Sequence, residues 1–341
     1  SVFNLFVVSL FWSFMADIFG STAARRVFPL IALGGMAGAV FGPLVTSLLV
    51  NLIGVALLLV VSASMLGASL ALLLKLSTRQ ERMPGSSGRE AIGGSLWAGI
   101  RELWSRPFLR YMAILMLFGD GIGTLAYALV ADYAKLHLAG TAARTPFYGH
   151  IDLAVNTLGA LLQLTLTRWL MVRHGAGWGL VLPAIVNTLL LIAAIGFAAG
   201  HMMEFGFSLS LRLPEAVASI IGHPALMLDF SVPMLAVMLV VTRGFAYGMT
   251  KPATDALYTR VPRETRYKGK NFIETAVWRF GDFVVTVGVS GLGMLGVGVA
   301  GMAAIGAMVS GAAIWFARRA GFSPGLSPEP PSAEAATPIR N

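Results

Sequence analysis

The chain has 341 residues, of which 56% are hydrophobic and only 12% charged, where a soluble globular chain carries roughly 25% charged residues; a soluble domain is excluded first. With no Cys, disulfide frameworks, thiolate metal sites and thiol nucleophiles are excluded as well. The formal net charge of +9 must be explained by where the basic residues fall, because charge alone does not mark a nucleic-acid partner.

Taken in order, nine apolar runs stand out, at 2–19, 27–50, 52–74, 108–131, 147–167, 179–200, 229–250, 271–290 and 294–316. Each approaches the roughly 20 residues that a helix needs to cross a hydrocarbon core of about 30 Å. The runs are continuous rather than alternating, so they predict helices and not strands. The expected fold class is therefore all-α, a polytopic membrane bundle of nine transmembrane helices. The stretch 201–228 is neither a clean span nor a polar loop, and a short interfacial helix is expected there. Ser1 lies inside an apolar run without a basic flank, so no secretory signal is read, and the chain is expected to begin partway through a longer bundle.

Basic residues test this segmentation, because cytoplasmic loops should hold most of them. Arg25 and Arg26 follow the first run, Lys75 to Arg110 the third, and Arg168 and Arg173 the fifth. Lys251, Arg260, Arg263, Arg266, Lys268 and Lys270 follow the seventh, and Arg318, Arg319 and Arg340 the ninth. All of these fall on one side of the expected membrane. The opposite loops hold only Lys135, Arg144 and Arg212. The basic balance is thus read as topology, with the C-terminus cytoplasmic and a bacterial inner membrane as the expected location.

The polar link containing Pro84-Gly85-Ser86-Ser87-Gly88 divides three spans from six. The predicted organisation is a three-span bundle at 1–75, a cytoplasmic linker at 76–107, a six-span bundle at 108–319 and a disordered tail at 320–341. Six spans after a central cytoplasmic loop match the second half of a twelve-span, major-facilitator-type architecture built from three-helix repeats. The three earlier spans would complete its first half.

Charges inside spans cost about 2.5 kcal/mol or more at a helix centre, so they should face a cavity or a partner. The third, sixth and ninth runs carry none through their interiors, as expected of peripheral helices. Asp120 lies in the fourth, Asp152 and Asn156 in the fifth, Arg243 in the seventh, and Glu274, Arg279 and Asp282 in the eighth. Glu274, Trp278 and Asp282 recur every four residues and share one helix face. Two readings stay open. Arg243 and Arg279 are fork-shaped donors for an anionic group with Asp120 and Asp282 as counter-ions or proton carriers, or these charges neutralise one another to close the bundle.

Glycines at Gly34, Gly38 and Gly42 fit close helix packing, whereas Gly119 and Gly121, flanking Asp120, fit either packing or a backbone opened to a cavity. The five histidines form no metal-binding pair, no phosphate-binding Gly-rich loop occurs, and Ser9 and Ser62 have no His and acid nearby. No enzymatic activity, metal or cofactor is expected.

Two stretches resemble the nucleotide exchange transporters, the ATP:ADP antiporter family of obligate intracellular bacteria and plastids with its bacterial relatives. One is Phe11-Trp12-Ser13-Phe14-Met15-Ala16-Asp17 with Ala24-Arg25-Arg26-Val27-Phe28-Pro29-Leu30; the other is Arg266 to Glu274, running on to Trp278-Arg279-Phe280-Gly281-Asp282. The resemblance implies a major-facilitator-like exchanger and carries over Asp17, Arg25, Lys268, Lys270 and Glu274. After the glycine matching Gly281 the nucleotide exchangers tend to carry lysine, where this chain has Asp282.

The expected function is secondary transport of an anionic metabolite, nucleotide exchange in particular, by a monomer in a lipid bilayer without nucleic acid. Lys268 and Lys270 would add charge at the cytoplasmic mouth or serve as solvated topological anchors. The alternatives are a proton-coupled transporter of another solute, with Asp120 or Asp282 as carrier, and a non-transporting membrane scaffold.

Overall fold

The computed structural model describes residues 2–19, 21–80, 98–199, 204–212 and 225–327. It is predominantly helical. In chain order the elements are α1 (Val2–Ile18), α2 (Ser21–Gln80), α3 (Ala98–Ser105), α4 (Pro107–His137), α5 (Gly140–Leu162), α6 (Arg168–His174) and α7 (Trp178–Ala199). A hairpin of β1 (Glu204–Arg212) and β2 (Ala225–Pro233) follows, then α8 (Met234–Phe245), α9 (Lys251–Tyr258), α10 (Arg263–Thr265), α11 (Trp278–Met294) and α12 (Val299–Gly321).

Three helical stretches among the described residues are long and apolar enough to cross a membrane: α4, α7 over Trp178–Gly196, and α12. Several other expected spans are continuous rods divided by π-helical turns. The turn Gln163–Thr167 joins α5 to α6, and Ala246–Thr250 joins α8 to α9. Two more turns, Arg266–Lys270 and Ile273–Val277, lead into α11.

These turns are stitched together by side chains. A π-helical turn widens the backbone and shifts its hydrogen bonds out of the i to i−4 ladder, which leaves carbonyls available to a neighbour. Gln163 Nε2 donates to the Tyr247 carbonyl at 3.0 Å and Thr167 Oγ1 to the Gly248 carbonyl at 2.8 Å. The same two rods meet backbone to backbone, since a Cβ on Gly248 would lie 2.9 Å from Gly159 Cα.

Three expectations are corrected. The turn expected between 50 and 52 does not form, and α2 runs unbroken through both spans for 60 residues, roughly 90 Å at the α-helical rise. Asn51 is the one polar residue there, and neither it nor its neighbours can stop a helix. Secondly, 204–212 and 225–233 are not an interfacial helix but antiparallel strands, in register from Glu204 opposite Pro233 to Arg212 opposite Ala225. Phe205, Phe207, Leu209 and Leu211 alternate with Gly206, Ser208 and Ser210, and Leu226, Leu228, Phe230 and Val232 alternate likewise, which is the two-residue period of a strand. Thirdly, 320–327, placed in the expected tail, is packed on the bundle: Ala320 and Leu326 are buried, and Arg260 Nε donates to the Ser327 carbonyl at 2.8 Å while Ser327 N–H donates to the Arg260 carbonyl at 3.1 Å. The central linker, 81–97, and the distal tail, 328–341, lie outside the described residues.

Packing divides the bundle into two apolar clusters. One, at the end rich in basic residues, holds Trp12, Phe28, Leu109, Met171, Leu257, Ile273 and Ala317. The other, towards the opposite end, holds Ile122, Leu129, Leu191, Leu239 and Met302. Glycine lets α4, α7 and α12 close on one another, because a Cβ on Gly306 would meet Leu125 Cδ2 at 2.8 Å and Leu191 Cδ2 at 3.3 Å.

Candidate functional site

Between the two apolar clusters lies a set of charges. On α4, Asp120 sits between Leu115 of the first cluster and Ile122 of the second. Counting from Pro107, it lies about 20 Å along the helix at the α-helical rise. Its neighbours come from two other helices. Asp282 and Trp278 of α11 are in side-chain contact with it, and Arg243 of α8 is within electrostatic reach.

Small residues make this convergence possible. A Cβ on Gly123 would lie 3.6 Å from Arg243 Nε, one on Gly121 3.0 Å from Val285 Cγ2, and one on Gly281 2.8 Å from Leu117 Cδ1. Gly121 and Gly281 therefore serve close approach of α11 to α4, whereas a Cβ on Gly119 would meet nothing within 4 Å. Arg243 Nη1 donates to Tyr247 Oη at 2.8 Å. Thr124 Oγ1 donates to Asp282 Oδ1 at 3.5 Å, and Arg279 Nη1 pairs with Asp282 Oδ2 at 3.3 Å. The Arg279 side chain stays 45% exposed, whereas Asp120 Oδ2 is buried and accepts no hydrogen bond among the described residues. Two guanidiniums thus face two carboxyls, with one carboxyl oxygen orphaned.

A second cluster lies at the basic end, where the sequence led us to expect solvated or mouth-lining lysines. Lys270 is fully buried and pairs with the fully buried Asp255 at 2.8 Å. Lys251 Nζ donates to Glu274 Oε1 at 2.5 Å and lies 3.3 Å from Asp255 Oδ2; Glu274 is also 3.8 Å from Lys270. Two ammoniums and two carboxylates therefore cancel, three of the four side chains buried and Lys251 23% exposed. Burial penalises the Lys251 ammonium, but the Asp255 and Glu274 carboxylates hold its pKa above the ordinary lysine value.

Helix α1 completes this region. Ser9 Oγ donates to Asn271 Oδ1 at 2.6 Å and also faces Glu274. At the end of α1, Asp17 is bonded by Arg266, by Arg263 Nε at 3.2 Å and by Tyr267 Oη at 2.7 Å. Burial, with the Asp17 carboxylate accepting its hydrogen bond, pushes the Tyr267 hydroxyl up to about 12. Lys268, 18% exposed, donates to Glu264 at 2.5 Å, and this hydrogen bond holds the exposed Glu264 carboxyl below its usual range.

The candidate residues therefore fall into three groups. Asp120, Arg243, Arg279 and Asp282 come together between α4, α8 and α11. Asp17, Lys270 and Glu274 belong to the ionic network at the basic end, with Lys268 at its solvated edge. Asn156 joins neither, donating instead to the Asp152 carbonyl of its own helix at 2.8 Å. Lys251, Asp255 and Arg266 were missed as site residues. Their signal was the four-residue spacing of Lys251 with Asp255 and of Lys270 with Glu274, which favours pairing.

No family model and no curated protein matches this sequence.

Proposed function

We propose that the protein is a secondary transporter that moves an anionic metabolite by alternating access, with α1 and α2 in one bundle and α4 to α12 in the other. The observation that supports this reading is the convergence of Arg243, Arg279, Asp120 and Asp282 from three helices at the junction of two apolar clusters. Charges of this kind inside a membrane bundle are costly and are kept where they serve a solute or ion path. Arg279, half exposed while paired to Asp282, is the group able to exchange a carboxylate for an incoming anion. Its planar fork suits a carboxylate or a phosphate.

Nucleotide exchange is the finer form of this proposal. The two stretches that resemble the ATP:ADP antiporter family lie against each other, through Asp17 with Arg266, and this contact supports reading them as parts of one functional region. On this proposal the basic end is cytoplasmic, the membrane is a bacterial inner membrane, and the working unit is a monomer.

The test is counter-exchange in proteoliposomes. Vesicles preloaded with ADP should take up labelled ATP or ADP, and Arg279→Gln should reduce the rate at least about tenfold, in keeping with loss of a charge-assisted contact. Absence of exchange across ATP, ADP, inorganic phosphate and dicarboxylates would reject an anionic cargo.

A further inference from the structure

We propose that Asp120 and Asp282 share a single proton, and that loading it turns the charge cluster between α4, α8 and α11 from neutral to cationic. This rests on the transporter reading for its physiological use, but the proton site itself stands on the geometry.

Helix α11 crosses α4 at Asp120, where a Cβ on Gly121 would lie 3.0 Å from Val285 Cγ2 and Thr124 Oγ1 donates to Asp282 Oδ1 at 3.5 Å; this sets the Asp282 carboxyl beside that of Asp120, with Trp278 as a donor to the latter, and two carboxylates have only acceptors to offer each other unless one holds a proton. The structure singles out the oxygen that lacks a donor. Asp282 Oδ1 receives Thr124 and Oδ2 receives Arg279, so both of its oxygens are supplied. Asp120 Oδ2 is buried with nothing donating to it among the described residues, and an unsatisfied buried carboxylate oxygen is strongly disfavoured. A proton at Asp120 removes the orphaned charge and converts that carboxyl into a donor towards Asp282.

The surrounding elements do not supply a competing acid or base among the described residues. From α8 the facing groups are Arg243, its guanidinium already given to Tyr247, and Tyr247 itself. From α11 they are Trp278, Arg279 and Asp282. The π-helical turn before α11 contributes Glu274, which is held by Lys251 and Lys270. Helix α12 carries Arg318 and Arg319 only in its last turn, and α3 carries Arg101 and Glu102 at the basic end.

The proton balance follows directly. With both acids ionised, two Asp cancel Arg243 and Arg279. One proton taken from water onto Asp120 leaves a net charge of +1, no bond other than O–H being made. An anion then enters a site that attracts it, and by linkage anion binding must draw the proton in. Arg279, freed from part of its duty to Asp282, is the group that meets the anion.

Two measurements test this on the full chain in liposomes. In infrared titration, the wild type should show a protonated-carboxyl C=O band that disappears as pH rises. Asp120→Asn should abolish that band, and Asp282→Asn should shift its midpoint. A wild type without the band, or an Asp120→Asn protein that keeps it unchanged, overturns the shared proton whatever the cargo. In the second measurement ADP and inorganic phosphate are the probes, and wild-type binding should take up about one proton per anion, with Asp120→Asn binding independently of pH. PH-independent binding by the wild type overturns the coupling. If neither probe binds while the band behaves as stated, the proton site is upheld and the anionic cargo is what fails.

Discussion

Asp17, the last acidic residue of α1, is held by Arg266, a residue 249 positions further along whose own side chain is only 5% exposed. The pair fastens the first helix to the turn that precedes α11, and Tyr267 and Arg263 add further donors to the same carboxylate.

Breaking that fastening should destabilise the protein. Asp17→Asn leaves the buried Arg266 guanidinium without its counter-ion, and removal of one partner from a buried ion pair costs about 3–5 kcal/mol. Thermal unfolding in detergent should show a clear loss for Asp17→Asn and for Arg266→Gln. The double substitution should cost much less than the sum of the two; additive losses would refute a direct coupling.

The four-charge network at the basic end predicts an asymmetry. Lys270→Met alone leaves the two carboxylates Asp255 and Glu274 with Lys251 as their one ammonium and should cost about 3–5 kcal/mol, whereas Lys270→Met combined with Asp255→Leu should recover most of it, because apolar packing replaces a neutral pair at little cost. By contrast Lys268→Ala, which breaks only the bridge to Glu264, a carboxylate 65% exposed, should lower the unfolding midpoint far less. Equal sensitivity at 268 and 270 would contradict the burial described here.

Tyr267 gives a pH dependence with a defined sign. Its hydroxyl is raised from the ordinary 10.0 to about 12 in the folded protein, so the folded chain holds this proton more tightly than the unfolded one. The associated stability is complete below pH 10 and is lost as pH rises to about 12. Tyr267→Phe should flatten that part of the stability curve, measured as the difference between the two proteins. An unchanged alkaline slope would refute it.

Gly248 offers a packing test. Its missing Cβ would lie 2.9 Å from the Gly159 backbone, so Gly248→Val forces α5 and α8 apart. Overpacking of this kind costs about 1–3 kcal/mol. Gly34→Ala, where a Cβ would meet nothing within 4 Å, is the matched control and should be neutral.

The parts of the fold that could be read in the sequence are those where one physical signal stands alone. Helices α4, α7 and α12 are long unbroken apolar runs, and hydropathy finds them. The charges of Asp120, Arg243, Arg279 and Asp282 are legible because they stand in apolar runs, although the 45% exposure of Arg279 is not. Where two signals overlap, the sequence misled. Overall apolarity hides the alternation at 205–211 and 226–232, which the structure resolves into two antiparallel strands. A boundary was drawn near Asn51 from the length of the run, although nothing there opposes helix propagation. In the sequence Lys251 reads as an orientation signal and Lys270 as either a mouth-lining charge or an anchor; only the three-dimensional meeting of two i, i+4 pairs buries Lys270 and joins Lys251 to it.

The reciprocal hydrogen bonds of Arg260 and Ser327 act as a mooring. They moor the chain after α12 beside the loop that leads to Arg263, Arg266 and Tyr267, so tension applied to residues beyond 327 is delivered to the very segment that grips Asp17. A reporter placed at Ser327 would therefore sense rearrangements at that end of the bundle.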